Sequence, residues 1–195
     1  GVPVVGVCER GGRCGRGAAS GGLGALKGRW KGIVAGDLKG DGRLDLVATS
    51  WGRNTSLQAD SVRPLVMLHG PFGAAREEEM LLARQDDRLH GLAPINSYPR
   101  VRVAIPDLAA RVASYSAYAD ATVEQVFGPH LPAVQRLEIN TLNSTLFMNR
   151  GDHLHAMPLP AEPQYAPAFS PALSVSARAG QDTLLPGQNF FATPP

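Results

Sequence analysis

The sequence predicts a mainly β fold, a partial β-propeller-like array of antiparallel hairpins or blades with a small inserted α-helical segment. Short apolar segments separated by turn residues recur along the 195 residues, which is typical of repeated strand pairs. One stretch, at about 106–128, has its apolar side chains at helical spacing instead. We therefore divide the chain into an N-terminal segment, 1–29, and a repeat region, 30–195, that contains the helical insertion.

The N-terminal segment is rich in glycine and arginine and is predicted to be a loop. Basic residues gather in it and just after it: Arg10, Arg13, Arg16, Lys27, Arg29 and Lys31. A phosphate- or RNA-binding arm is one interpretation, but without interleaved aromatic residues a solvated linker is favoured. The formal net charge of +2 is too small to indicate a nucleic-acid partner. The two cysteines, Cys8 and Cys14, fit either a short disulfide or two thiols.

The hairpins follow in order along the repeat region. In each, two apolar segments flank a turn. The paired segments are 32–36 with 44–49, 65–69 with 80–83, 144–148 with 153–160, and 172–175 with 183–185.

Two helices are predicted in the insertion. The first begins at Asp107 as N-cap and places Leu108, Val112 and Tyr115 on one apolar face. The second, over 122–128, has the Thr-x-x-Gln spacing of a capping box and a Gly-Pro stop.

The turn of the first hairpin carries the strongest chemical signal. Asp37, Asp41 and Asp45 are spaced around glycines immediately before an apolar strand. Carboxylates held this close repel one another unless positive charge lies among them, and a hard cation with oxygen ligands is a common solution in such turns.

The segment from Gly32 to Thr49 resembles one FG-GAP or VCBS repeat, the unit of integrin-α-like β-propellers. Residues 146–160 are similar to the outer strand pair of such a blade, and residues 188–193 resemble the same family. The resemblance covers about half of the chain. It implies a fragment of a seven-bladed repeat protein, because blades of roughly 40–50 residues allow about four units here.

The resemblance also implies a calcium site in the acidic turn. Its ligands would be Asp37, Asp41 and Asp45 through their side chains and Arg43 through its carbonyl. Lys39 occupies a further ligand position, although an ammonium group has no lone pair for a metal. Either water replaces that ligand at a weakened calcium site, which is our expectation, or the Lys39 ammonium itself neutralises the carboxylates.

Other candidate metal ligands are less well placed. The equivalent loops at 71–79 and 175–183 lack the early acidic residues, so we expect no metal in either. His153 and His155 have a spacing that zinc sites use, but an outward-facing pair on a strand is the preferred interpretation.

The sequence thus predicts a non-catalytic binding or structural module, extracellular or periplasmic, with a protein or carbohydrate ligand, no nucleic acid and no membrane span. No nucleophile elbow, zinc-protease helix, P-loop or dinucleotide fingerprint occurs. The alternative is a propeller-type polysaccharide hydrolase or lyase. Its site would lie across blades or on the helices around Tyr115 and Tyr118.

Overall fold

The computed structural model describes residues 6–8, 14–16, 23–73, 77–174 and 183–189. The chain divides into two compact units. One unit contains Gly1–Gln58 and Thr141–Pro195, and the other contains Ala59–Asn140. The prediction of a mainly β fold is confirmed, since most of the described strands lie in antiparallel sheets, each unit contains a four-stranded sheet, and the helices are short.

The regular elements have the following bounds. The strands are β1 Gly6–Cys8, β2 Cys14–Arg16, β3 Gly32–Gly36, β4 Asp45–Thr49, β5 Leu65–Gly70, β6 Glu79–Asp86, β7 Gly91–Pro94, β8 Gln135–Ile139, β9 Thr145–Asn149, β10 Leu154–Pro158, β11 Ala168–Ser174 and β12 Thr183–Gln188. The α-helices are α1 Tyr98–Ala104, α2 Leu108–Arg111, α3 Tyr115–Ala119 and α4 Val123–Phe127. Short 3-10 helices lie at Leu23–Ala25, Gly128–Ala133 and Glu162–Gln164.

The first unit is built on a four-stranded antiparallel sheet in the order β10-β9-β4-β3. It joins two of the predicted hairpins, β3–β4 and β9–β10, through a central pairing in which Leu46 lies opposite Phe147. Val47, Ala48 and Phe147 are buried on this sheet. The pairing of β4 with β9 therefore brings together chain segments that are about a hundred residues apart in sequence.

Two further strand pairs belong to the same unit. β11 pairs with β12, as predicted for the last hairpin, and β11 also lies against β3. β1 pairs with β2, so the described part of the N-terminal segment contains a short ladder where the sequence predicted only loop. In that ladder the backbone of Cys8 lies opposite that of Cys14.

The second unit contains a four-stranded antiparallel sheet in the order β7-β6-β5-β8 and all four α-helices. The predicted hairpin of β5 and β6 is present, with Leu68 opposite Leu81. Both of these leucines are buried in an apolar core with residues of α1, α2 and α4, including Val101, Leu108 and Phe127.

The first predicted helix of the insertion is wrong as a single element. The backbone leaves the helical conformation at Val112 (φ −131°, ψ 91°), and a new helix, α3, starts at Tyr115. Ser114 caps α3 by accepting a hydrogen bond from the Ala117 N–H at 3.1 Å. Tyr115 is 69% exposed, so it does not share a buried face with Leu108.

The second predicted helix is confirmed as α4. The reciprocal capping box of Thr122 and Gln125 is present, and the Gln125 side chain accepts a hydrogen bond from the Thr122 N–H at 2.8 Å. Gly128 ends the helix with a positive φ of 49°. Helix α1, which has Pro99 in its first turn, was not predicted from the sequence. No helix in the described ranges is both long and apolar enough to cross a lipid bilayer.

Candidate functional site

The acidic turn connects β3 to β4 and is organised by Asp37. Its two carboxylate oxygens accept hydrogen bonds from the backbone N–H groups of Asp41, at 3.0 Å, and Gly42, at 2.6 Å. Gly40 and Gly42 have positive φ values, which glycine adopts without steric cost. Asp37 therefore fixes the backbone of the turn with both of its oxygens.

Lys39 lies among the carboxylates of the turn. Its Nζ is 2.9 Å from Asp41 Oδ2 and 3.5 Å from Asp45 Oδ1, and it donates a hydrogen bond to the Asn149 carbonyl at 2.6 Å. The Lys39 side chain is only 19% exposed. An ammonium group of the chain itself thus lies within ion-pair distance of two of the three carboxylates.

Asp45 is the most buried member of the group, with no exposed surface. Its Oδ1 accepts a hydrogen bond from the Asn149 N–H at 2.8 Å, and the Asn149 side chain donates to the Leu44 carbonyl at 3.3 Å. Asp45 Oδ2 is buried and has no hydrogen-bond partner among the described residues. A buried carboxylate oxygen without a donor is unfavourable, so this atom is the best-placed ligand for an added cation or water.

The pKa of Asp41 lies below its ordinary value. The main cause is the hydrogen bond from the Lys39 ammonium, followed by the hydrogen bond from the Arg43 N–H, which is 3.0 Å from Asp41 Oδ1. Both contacts favour the charged carboxylate. Any stability that Asp41 contributes is therefore present above its unfolded pKa, near 4, and is lost as the pH falls through the lowered value.

The predicted calcium ligands Asp37, Asp41, Arg43 and Asp45 are all in this turn, but their contacts fit a metal only in part. Five of the six carboxylate oxygens of the three aspartates already face a protein N–H or ammonium donor. Calcium takes six to eight oxygen ligands, and here it would have to displace Lys39 to reach Asp41 and Asp45 together. Only Asp45 Oδ2 is buried and free for it.

The remaining metal predictions are resolved only in part. Among the described residues, no group of three or more His, Cys, Asp or Glu side chains is arranged to hold a metal ion. Of the 71–79 loop, residues 74–76 lie outside the described ranges, as do residues 175–182 of the third loop. His153 lies immediately before β10, with its Nδ1 2.7 Å from Asp152 Oδ1, and His155 lies within β10; both side chains are exposed.

The tyrosines of the second unit form an aromatic cluster. The Tyr98 ring is 5.0 Å from the Tyr115 ring and 5.1 Å from the Tyr118 ring. The Tyr98 and Tyr118 hydroxyls donate to the carbonyls of Val112 and Asn96, at 2.6 and 2.7 Å. Burial raises the pKa of Tyr118, so its hydroxyl stays protonated and serves as a structural donor.

Asp107 occupies the N-cap position of α2, as the sequence predicted, but its side chain makes no capping hydrogen bond. Its carboxylate instead contacts Arg111, at 2.5 Å, and His130, at 3.0 Å. Arg111 also donates to the Val126 carbonyl at 3.0 Å. The hydrogen bond from Arg111 lowers the pKa of Asp107, as does the one from His130, while desolvation partly opposes them. This cluster ties α2 to α4 and to the following 3-10 helix.

The acidic turn was evident in the sequence, but its partner, Asn149, was not. Asn149 begins the turn between β9 and β10, and nothing in the sequence around it indicates that it contacts Lys39 and Asp45. Searches of protein-family models, curated proteins and solved structures with this chain gave no match.

Proposed function

We propose that this chain is a non-catalytic binding or structural module of an extracellular or periplasmic FG-GAP or VCBS repeat protein, with a protein or carbohydrate ligand. In this proposal the sheet β10-β9-β4-β3 is one blade of a propeller-like array, and the acidic turn stiffens one end of it. The antiparallel order of the four strands and the position of the acidic turn at a hairpin bend support this assignment.

The contacts of Lys39 support the proposal best. Its ammonium group contacts Asp41 and Asp45 in one hairpin and the Asn149 carbonyl at the end of β9. A single cationic side chain thus cross-links the bend of the β3–β4 hairpin to the neighbouring β9–β10 hairpin. In our proposal Lys39 takes the structural role that a bound cation has in repeats of this kind.

Calcium binding is the second candidate, and the unpartnered Oδ2 of buried Asp45 favours it. Asp37, Asp41 and Asp45 would hold the ion with the Arg43 carbonyl, and Lys39 would have to turn away. The ion would supply positive charge and additional rigidity to the turn. Affinity falls with the number and charge of the oxygen ligands, so this site would be weak.

Thermal unfolding of the full chain, followed by tryptophan fluorescence with calcium or with a chelator, separates the two candidates. Both tryptophans, Trp30 and Trp51, belong to the unit that contains the acidic turn. We expect calcium to leave the wild-type midpoint unchanged. Lys39→Asn should lower the midpoint in chelator, and calcium should restore it because the asparagine supplies the missing oxygen ligand. A site at a hundredfold excess over Kd adds about 2.7 kcal/mol.

The matched control is Arg150→Asn, which removes a positive charge from the adjacent turn. None of the hydrogen bonds and ion pairs of the three carboxylates involves Arg150, so the midpoint of this variant should follow that of the wild type in both solutions. A calcium-dependent rise in the wild type would instead establish the second candidate. If Lys39→Asn has the same unfolding midpoint as the wild type in chelator, the proposal that Lys39 stabilises the acidic turn is wrong. Turnover of a polysaccharide by the purified chain would contradict the non-catalytic assignment.

A further inference from the structure

Arg29 and Lys31 are the last two basic residues of the group in and just after the N-terminal segment, and the side chain of each lies against an aromatic ring of the first unit. The Arg29 guanidinium carbon is 4.5 Å from the centroid of the Trp51 ring, and Lys31 Nζ is 4.9 Å from that of Phe169. Contacts of this kind hold a cation by attraction to the π face. The sequence interpretation of a solvated linker did not anticipate them.

The backbone of the segment is also fixed. The Lys31 N–H donates to the Thr49 carbonyl at 2.8 Å, and the Ser50 hydroxyl donates to the Arg29 carbonyl at 3.3 Å. Trp30, which lies between them in the sequence, packs edge-to-face on Phe147 with ring centroids 5.9 Å apart. Arg29 and Lys31 are thus two neighbouring cations on an anchored frame.

Neither cation has an anionic partner in the described part of the chain. Arg29 and Lys31 make no ion pair and no side-chain hydrogen bond there. Both side chains are partly buried, and desolvation lowers the pKa of each. The charge of Arg29 lowers the pKa of Lys31 further. Two partly desolvated like charges without a counter-charge are unfavourable, and a bound anion would relieve both effects.

We infer that Arg29 and Lys31, held by Trp51 and Phe169, form a binding site for an oxyanion group: a carboxylate, sulfate or phosphate. The indole ring lies on one side of the guanidinium and leaves its N–H donors free for the paired oxygens of such a group. Lys31 adds a point charge beside it. Because both side chains are already positioned, little additional ordering opposes binding. This inference does not depend on what neutralises the acidic turn.

The competing explanation is that the two long side chains only cover aromatic surface and keep their charged ends in water. In that case anions would interact with them no more than with other surface cations. A comparison with a pair of exposed arginines therefore tests the inference directly. Arg84 and Arg150 are suitable, because they are exposed and have no ionic partner among the described residues.

The experiment titrates the full chain with sulfate, inorganic phosphate and galacturonate, at constant ionic strength maintained with sodium chloride. Tryptophan emission is the readout, because Arg29 lies over Trp51. The variants are Arg29→Gln/Lys31→Gln and the control Arg84→Gln/Arg150→Gln, which removes the same two charges. Circular dichroism checks that each variant is folded. Lys31→Gln alone replaces the first double variant if that one does not fold.

We expect saturable binding of at least one probe to the wild type. The affinity should fall at least tenfold in Arg29→Gln/Lys31→Gln, or severalfold in Lys31→Gln, and should stay within twofold of wild type in the control. Preference for sulfate or phosphate over galacturonate, or the reverse, identifies the oxyanion. The inference is overturned if no probe saturates, or if the variants and the control bind as the wild type does.

Discussion

Gln164 is the most connected buried polar side chain of the first unit, and Gln164→Leu tests whether it holds that unit together. The side chain is 2% exposed. Its Nε2 donates to the carbonyls of Ser144 and Leu159, at 2.8 and 3.2 Å, and its Oε1 accepts a hydrogen bond from the Ser144 N–H at 2.9 Å. These bonds fix the chain just before β9, the strand that carries Asn149 to the acidic turn.

The expected loss follows from the groups that lose a partner. In Gln164→Leu the Ser144 carbonyl still accepts a hydrogen bond from the Leu159 N–H at 2.9 Å. The Ser144 N–H and the Leu159 carbonyl each lose the hydrogen bond that they make with the Gln164 side chain. Each buried group left without a partner costs about 1–3 kcal/mol. We therefore expect Gln164→Leu to lower the free energy of unfolding by about 2–6 kcal/mol.

Gln188→Leu is the matched control in the same unit. Its Nε2 also donates to two carbonyls, those of Glu162 and Ala166, at 3.1 and 3.2 Å, but at a more accessible position. Water can replace the lost donor there, so the cost should be within about 1 kcal/mol.

Urea unfolding followed by tryptophan fluorescence measures both variants, since Trp30 and Trp51 report on this unit. A change in midpoint with an unchanged slope is a change in stability. If Gln164→Leu loses no more stability than Gln188→Leu, the buried hydrogen-bond network is not what stabilises the unit.

Two further predictions concern single positions. Gly52→Ala should destabilise the first unit by more than Gly42→Ala, although both glycines have a φ of +80°. A Cβ at Gly52 would collide with the Gln164 carbonyl, whereas at Gly42 nothing lies within 4 Å, which leaves only the backbone cost of about 1–2 kcal/mol. The same urea assay compares them. Asp107→Asn should remove part of the acid sensitivity of the second unit, because the folded pKa of Asp107 is lowered: its stabilisation is full above pH 4 and declines as the pH falls through that lowered value. Circular dichroism melts of wild type and variant between pH 2 and 6 measure this difference.

The hairpins could be predicted because their signals are local. Turn residues and alternating apolar positions lie within a few residues of one another, and the pairs β3–β4 and β9–β10 formed in the predicted order. The pairing of β4 with β9 had no such signal, because the second unit separates the two strands along the chain.

The helical insertion shows where local patterns mislead. The apolar spacing from Leu108 to Tyr115 fits one continuous helix. The backbone is nevertheless extended at Val112, and a new helix begins after Ser114. A serine that caps a new helix is also compatible with a helix interior on spacing alone, so the break was not evident. Asp107 likewise has the right type for an N-cap, but its carboxylate contacts Arg111 and His130 instead.

The acidic turn was recognised from sequence, but its charge balance is a tertiary property. Lys39 and Asp41 are close in sequence, while the carbonyl that accepts the shortest Lys39 hydrogen bond belongs to Asn149, 110 residues away. That carbonyl reaches the turn only because β9 pairs with β4, which also places the Asn149 N–H on buried Asp45. An isolated β3–β4 hairpin would have the same three carboxylates without this partner, and its lysine would be free to remain in water. The interpretation of Lys39 as an internal cation therefore depends on the whole sheet, and sequence spacing could not have chosen between it and a weakened metal site.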